Sequence, residues 1–228
     1  MSKGPLSGIK VIEIAGIGPA PCAGMMLADM GADVILVERR APNANAEPDA
    51  QAQANQTFYN RGKRSLALDL KKPESTAIVL SLIESADILI EGFRPGVMER
   101  LGLGPDVCHE RNPALIFGRM TGWGQSGPLA HAAGHDPNYI ALSGALSAGA
   151  SAERPPTAPL TLVGDVGGGT MILLFGLLSA FIHAQKTGEG QVIDAAITDG
   201  SAYISSLLLM MRNTGQISDE PGLGWADF

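Results

Sequence analysis

The chain is short of aromatic residues, cysteine, positive charge and long apolar runs, and each shortage removes a class of function. Phe, Trp and Tyr make up 5% of the 228 residues, beside 29 Gly. That balance favours close backbone packing over a surface that stacks on bases. Cys22 and Cys108 are the only cysteines. They make no disulfide framework and no C-x-x-C metal motif, and they read as buried or incidental thiols in a reducing cytosol. Lys and Arg number 16 against 23 Asp and Glu, for a formal net charge of -7. No basic run resembles a nucleic-acid tail, so nucleic acid is not an expected partner. The longest apolar stretch, Met171 to Ala184, is interrupted by Gly176 and Ser179. It falls short of the roughly 20 residues a bilayer requires and is expected to be a fully buried helix, with no membrane partner. Met1-Ser2-Lys3-Gly4-Pro5 lacks the apolar stretch of a secretory signal, which points to a cytoplasmic protein.

What is present is an alternation of strand-like and helix-like segments. Ile9–Ile14, Asp33–Glu38, Ser65–Leu70, Asp87–Glu91 and Ala114–Arg119 are β-rich runs. Between the first two, Pro21–Met30 has apolar residues at helical spacing and stops at Gly31. Pro73 starts a helix over Glu74–Ser85, and short helices are expected over Gly96–Leu101 and Asp106–Arg111. Ala41–Gln56 has no apolar period and reads as a mobile surface loop. The pattern predicts an α/β fold with a doubly wound, mostly parallel, Rossmann-like sheet. After residue 130 the alternation gives way to helices over Asn138–Leu146, Gly169–Gln185 and Ile193–Met211, with Gln191–Ala195 as an alternative short strand. The expected division is a large domain over 1–190 and a helical linker over 191–228, the latter opening a small domain that is missing or truncated.

Gly16-x-Gly18, with Glu38 ending the second strand, imitates a dinucleotide fingerprint. Pro19 and Pro21 remove two backbone donors that a pyrophosphate would use. The better reading is glycines that let strand and helix pack closely, so no nicotinamide is expected, nor any other cofactor.

Two motifs carry chemistry: Gly134-His135-Asp136-Pro137-Asn138-Tyr139 and Leu162-Val163-Gly164-Asp165-Val166-Gly167-Gly168-Gly169. An imidazole titrates near neutrality and serves as acid or base. A carboxylate on the opposite face of a carbon acid could return the proton that the imidazole removes. Taken singly, His135 reads as a hydrogen-bonded core histidine and Asp165 as an N-cap whose carboxyl is held acidic. Three glycines exceed what a cap needs and suggest free N–H groups aimed at an oxyanion. Arg39 and Arg94 each end a strand, where phosphate-bearing ligands sit in open α/β sheets.

A series of segments then resembles the alpha-methylacyl-CoA racemases of the class III (family III) CoA-transferase superfamily, over residues 4 to about 215. They are Gly4-Pro5-Leu6-Ser7-Gly8, Leu27-Ala28-Asp29-Met30-Gly31-Ala32-Asp33-Val34, Asn60-Arg61-Gly62-Lys63-Arg64-Ser65, Glu91-Gly92-Phe93-Arg94-Pro95-Gly96-Val97, Met120-Thr121-Gly122-Trp123-Gly124-Gln125, Gly134-His135-Asp136, Gly164-Asp165 and Gly188-Glu189-Gly190-Gln191-Val192.

The resemblance implies epimerisation of 2-methylacyl-CoA thioesters through an enolate, without metal, with the acyl-CoA as substrate. It implies His135 and Asp165 as the acid/base pair. It also implies that Arg39, Leu68, Asp69, Leu70, Lys71, Gly92, Phe93, Arg94, Arg100, Gly134, Asp136, Pro137, Asn138 and Tyr139 line the CoA and acyl site. Superfamily CoA-transferases instead use the counterpart of Asp165 as a nucleophile that forms an acyl anhydride, and generally lack histidine before the Asp of the turn. His135 therefore favours the racemase. An inactive CoA-binding module is the third possibility.

Relatives are longer and form interlocked homodimers, with an acidic residue further along the chain paired with the counterpart of Asp165. The expectation is a shortened homodimeric enzyme, weakly active unless another chain completes the site, with Asp165 left more acidic.

Overall fold

In the computed structural model, which describes residues 4–39, 58–151, 154–218 and 220, six strands form one sheet. They are β1 (Lys10–Ile14), β2 (Asp33–Glu38), β3 (Arg64–Ala67), β4 (Ile88–Glu91), β5 (Ile116–Thr121) and β6 (Val192–Ala196). Every pairing is parallel and the order is β3-β2-β1-β4-β5-β6. Parallel neighbours need crossovers, and the helices between strands supply them. The direction of winding reverses between β1 and β4, so a crevice opens at the carboxyl ends of those two strands.

Successive side chains of a strand point to opposite faces, and each face has its own core. On one face Val11, Ile88, Ile90 and Ile116 pack with Ala20, Ala23 and Leu27 of α1 (Pro19–Asp29) and with Leu173, Leu177 and Ala180 of α6 (Ile172–Thr187). On the other, Ile12, Ile14, Leu89 and Phe117 pack with Val79 and Ile83 of α2 (Pro73–Ile83), Met98 of α3 (Val97–Arg100) and Cys108 of α4 (Pro105–Arg111). Residues such as Leu173, Leu177 and Phe117 are fully buried, and each contributes about 1.5–3 kcal/mol through lost apolar surface. Both cysteines are buried and free.

After β5 the chain forms α5 (Asp136–Leu142), a 3₁₀ turn over Ala145–Gly149, and a π-helical segment over Leu162–Met171 that runs directly into α6. Two further helices, α7 (Ile197–Ile204) and α8 (Ser206–Asn213), follow β6.

Several expectations need correction. Of the two readings for this stretch, the short strand over Gln191–Ala195 holds, as β6 paired with β5 from Val192 to Ala196, and the helix anticipated from Ile193 starts only at Ile197, so the sheet continues past residue 190. The third strand ends at Ala67 rather than Leu70, and Leu68 and Leu70 leave the sheet to pack on the second core. The helix expected over Asn138–Leu146 is α5 followed by the 3₁₀ turn.

The apolar helix also differs. Leu162–Thr187 is one continuous helical run of 26 residues, sufficient in length and composition to cross a membrane. It is not fully buried: Leu173, Leu177, Ala180 and Ala184 face the sheet while Met171, Phe175 and Ile182 are exposed. The loop anticipated over Ala41–Gln56 lies outside the described residues.

Candidate active site

The residues singled out in the sequence follow successive strands onto one edge of the sheet. Arg39 follows β2, Leu68–Lys71 follow β3, Gly92–Arg94 follow β4, and the His135 turn follows β5. Arg100 ends α3, with its guanidinium beside Gly96. Arg39, Asp69, Lys71, Arg94 and Arg100 are exposed, as groups awaiting an anionic ligand would be. Leu68 and Leu70 are partly buried core residues, and Phe93 packs with them. The Phe93 N–H donates to Glu91 Oε2 at 2.7 Å, and Asp69 Oδ1 accepts from the Lys71 N–H at 3.2 Å.

The His135 turn is fixed on three sides. The Tyr139 hydroxyl donates to the Gly134 carbonyl, and its ring meets Trp123 edge-on with centroids 4.7 Å apart. A β-carbon on Gly134 would lie 2.6 Å from the Tyr139 ring and 2.8 Å from Trp123, so only glycine lets the turn close over these rings. The His135 N–H donates to Asn138 Oδ1 at 2.9 Å, and Pro137 stands in the first turn of α5, where its missing N–H costs nothing. The imidazole-bearing residue is exposed while Asp136 and Tyr139 beside it are buried. Tyr139 thus braces the turn.

Asp165 lies within the π-helical segment. There the Val166 N–H reaches back five residues to the Thr161 carbonyl at 2.8 Å. Thr161 enters the segment with φ 64°, the one non-glycine residue in left-handed conformation among the described residues. Wide turns and such backbone outliers concentrate at functional sites. Asp165 is therefore not an N-cap, which corrects the simple helix-cap reading. Its own N–H donates to Asp136 Oδ1 at 2.8 Å. Its carbonyl accepts from Thr170 Oγ1 at 3.3 Å, and the same hydroxyl reaches the Pro19 carbonyl at 3.1 Å, tying the segment to the start of α1.

Among the glycines after Asp165, Gly168 has a packing reason for its identity. Gly168 packs against α7, where a β-carbon would lie 2.4 Å from Ser201 Oγ and 2.9 Å from the Ile197 carbonyl. Gly200 answers from α7, a β-carbon there falling 1.9 Å from the Gly168 carbonyl. Gly168 is glycine because two backbones touch there.

Electrostatics link these groups. The Asp165 carboxyl is pushed up to about 6, first by burial, then by the charge of Asp136, with His135 opposing. This differs from the acidic carboxyl expected of an N-cap: a second carboxylate from this same chain stands beside it. Tyr139 is raised by burial and then by Asp165, while Arg94 lowers it. The charges of His135 and Asp136 thus act on the Asp165 carboxyl, and those of Asp165 and Arg94 on the Tyr139 phenol. Nothing comparable links Arg39, Leu68–Lys71 or Arg100 to Asp165.

Tyr59 was not legible as a site residue. It stands just before the Asn60–Ser65 motif, and its phenol is raised by burial, then by Cys22, then by Asp165. Three ion pairs pin this segment, one of them between Arg64 and Asp33 at 2.6 Å. Lys63 Nζ meets Glu13 Oε2 at 2.7 Å with both side chains buried, and Arg61 meets Asp29 at the surface. A cavity of about 220 Å³ lined by Glu84, Asp87, Asn112 and Phe181 lies at the opposite, amino-terminal ends of β4 and β5. Among the described residues no three His, Cys, Asp or Glu side chains converge as metal ligands would.

Comparison with known proteins places this architecture. Residues 6–224 match CoA-transferase family III. Alpha-methylacyl-CoA racemase of Mus musculus is 43% identical over 210 residues, covering 92% of this chain and 52% of that protein. Succinate–glutarate CoA-transferase of Agrobacterium fabrum is 40% identical, covering 92% of this chain and 54% of that protein. The crystal structure of a CAIB/BAIF family protein from Brucella suis superposes with a TM-score of 0.84 at 30% identity, covering 96% of this chain and 60% of that one. The chain thus spans about half the length of the curated relatives it matches. It belongs to CoA-transferase family III.

Proposed function

We propose that this chain is the Asp165-bearing part of an enzyme acting on CoA thioesters, with the Asp165 carboxyl as the reacting group. One observation carries the reading. In a family III member, a partly buried carboxyl raised to about 6 stands beside His135 and Asp136 near the crevice edge. Arg94 and the other exposed cations at that edge suit a phosphate-bearing ligand.

Two chemistries use such a carboxyl. In acyl-CoA transfer the ionised Asp165 attacks the thioester carbonyl, CoA leaves as its thiolate, and an acyl–aspartyl anhydride remains for the acceptor. The family itself and the Agrobacterium relative support this reading, and a group titrating about 6 is mostly ionised at neutral pH. The second chemistry is 1,1-proton transfer on a 2-methylacyl-CoA. One of His135 and Asp165 takes the α-proton to give an enolate, and the other returns a proton to the opposite face. It is favoured by the presence of His135 beside Asp165, a second proton carrier that transfer does not use, and by the mouse relative.

The test incubates the chain with a 2-methylacyl-CoA in heavy water, with and without hydroxylamine. Deuterium at the α-carbon identifies proton transfer, and an Asp165 hydroxamate in the protein identifies the anhydride. CoA binding with neither product overturns the enzymatic reading and leaves a binding module.

A further inference from the structure

We infer that Asp136 is a positioning residue: its carboxylate fixes the backbone of Asp165, and its negative charge adds to burial in favouring a proton on Asp165. The inference rests on Asp165 being the reacting group, and it departs from the substrate-lining role that the family resemblance implies for Asp136. The Asp136 side chain is 4% exposed. Oδ1 accepts the Asp165 N–H at 2.8 Å, and Oδ2 is buried without a hydrogen-bond partner among the described residues. A carboxylate whose role were only to tie down one N–H would sit more cheaply as an asparagine. Buried carboxylates in this fold are otherwise given a cation: Lys63 for Glu13 and Arg119 for Glu91. Among the described residues Asp136 and Asp165 have no such ion pair with lysine or arginine. Gly164 preserves the contact, because a β-carbon there would lie 2.3 Å from Asp136 Oδ1.

The groups around Asp165 are few. The turn and α5 contribute His135, Asp136 and Tyr139. The segment before β3 contributes Tyr59, which itself faces Cys22 of α1. Arg94, after β4, faces Tyr139. The charged residue of α7, Asp199, is exposed. Asp136 is thus the carboxylate neighbour whose charge, after burial, raises the Asp165 carboxyl.

The experiment follows the Asp165 carboxyl by ¹³C NMR as a function of pH in the full chain, with Asp165→Asn assigning the resonance. Asp136→Asn keeps an oxygen to accept the Asp165 N–H and removes the charge; Asp136→Ala removes both. The expected result is an Asp165 midpoint about 6 in the unaltered chain. Proton affinity should then fall about tenfold in Asp136→Asn and by a similar factor in Asp136→Ala.

An unchanged midpoint in Asp136→Asn overturns the inference, and so does a fall confined to Asp136→Ala, which would make the hydrogen bond the whole role. Should neither variant fold, a midpoint in the ordinary carboxylate range in the unaltered chain overturns it. The readout needs no turnover. A chain with no thioester chemistry and a lowered midpoint in Asp136→Asn retains this inference while losing the proposed function.

Discussion

Two kinds of buried carboxyl lie near the same crevice, and they differ in what stands next to them. Glu91, at the end of β4, is fully buried, yet Arg119 of β5 donates to it at 3.0 Å and also reaches Glu99 at 2.7 Å. Glu13 of β1 is matched by Lys63 in the same manner on the other face of the sheet. Asp165 is less deeply buried and has a carboxylate for a neighbour. Burial raises all three, the two glutamates to about 7 and Asp165 to about 6. In the glutamates the cation opposes the rise; in Asp165 the neighbouring Asp136 adds to it. The first arrangement ties distant segments of chain together. The second leaves a partly exposed carboxyl beside another carboxylate, with no lysine or arginine ion pair among the described residues.

The largest expected effect breaks the structural kind. Arg119→Met leaves the Glu91 carboxyl buried without its cation and is expected to cost about 3–5 kcal/mol of stability, read by denaturant unfolding. The cost should shrink on acidification, because the orphaned glutamate can then take a proton.

His135→Ala tests the other kind. If proton transfer is the chemistry, α-deuterium exchange should drop about 10²–10⁴-fold, while hydroxamate formation at Asp165, if transfer is the chemistry, should be largely retained. Equal loss of both would show His135 serving the fold instead.

Tyr139→Phe removes the hydrogen bond to Gly134 and leaves the ring against Trp123. It should lower stability by about 1 kcal/mol, measured by thermal unfolding. A loss several times larger would mean that the hydroxyl, and not the ring, holds the His135 turn.

The smallest effect concerns pH. The folded Asp165 holds its proton more tightly than the unfolded chain. Its contribution to stability is fully present below the ordinary carboxylate range and is lost as pH rises through about 6. Asp165→Asn should therefore be slightly more stable than the unaltered chain at pH 7, by about 1 kcal/mol or less after allowing for partial exposure. The advantage should vanish at pH 4. A variant less stable at pH 7 would contradict the raised titration.

Much of the sheet was legible because its strands are short apolar runs bounded by Gly and Pro. Asp33–Glu38 is the same strand in sequence and structure, and Pro73 does start α2. What failed depended on distant partners. Strand β6 exists because Phe117–Thr121 lies beside it, and its polar alternation alone could not tell that edge from a helix. The π-helical turns around Asp165 have the same apolar spacing as an α-helix, and they lie where Gly168 meets Gly200. The placement of His135 with Asp165 on one edge came from motifs. The neighbour that raises Asp165 did not, because Asp136 reads only as lining the CoA and acyl site until the 2.8 Å contact across 29 residues is seen. Glu13 and Glu91 likewise passed for polar strand positions, their cations lying 50 and 28 residues away.

The central claim, that thioester chemistry runs through the Asp165 carboxyl, is tested most directly by Asp165→Asn. Deuterium exchange, hydroxamate formation and CoA binding are to be measured on one folded sample. The account predicts that whichever product the unaltered chain makes falls at least about 10³-fold while CoA binding persists. Turnover within tenfold of the unaltered chain would contradict it.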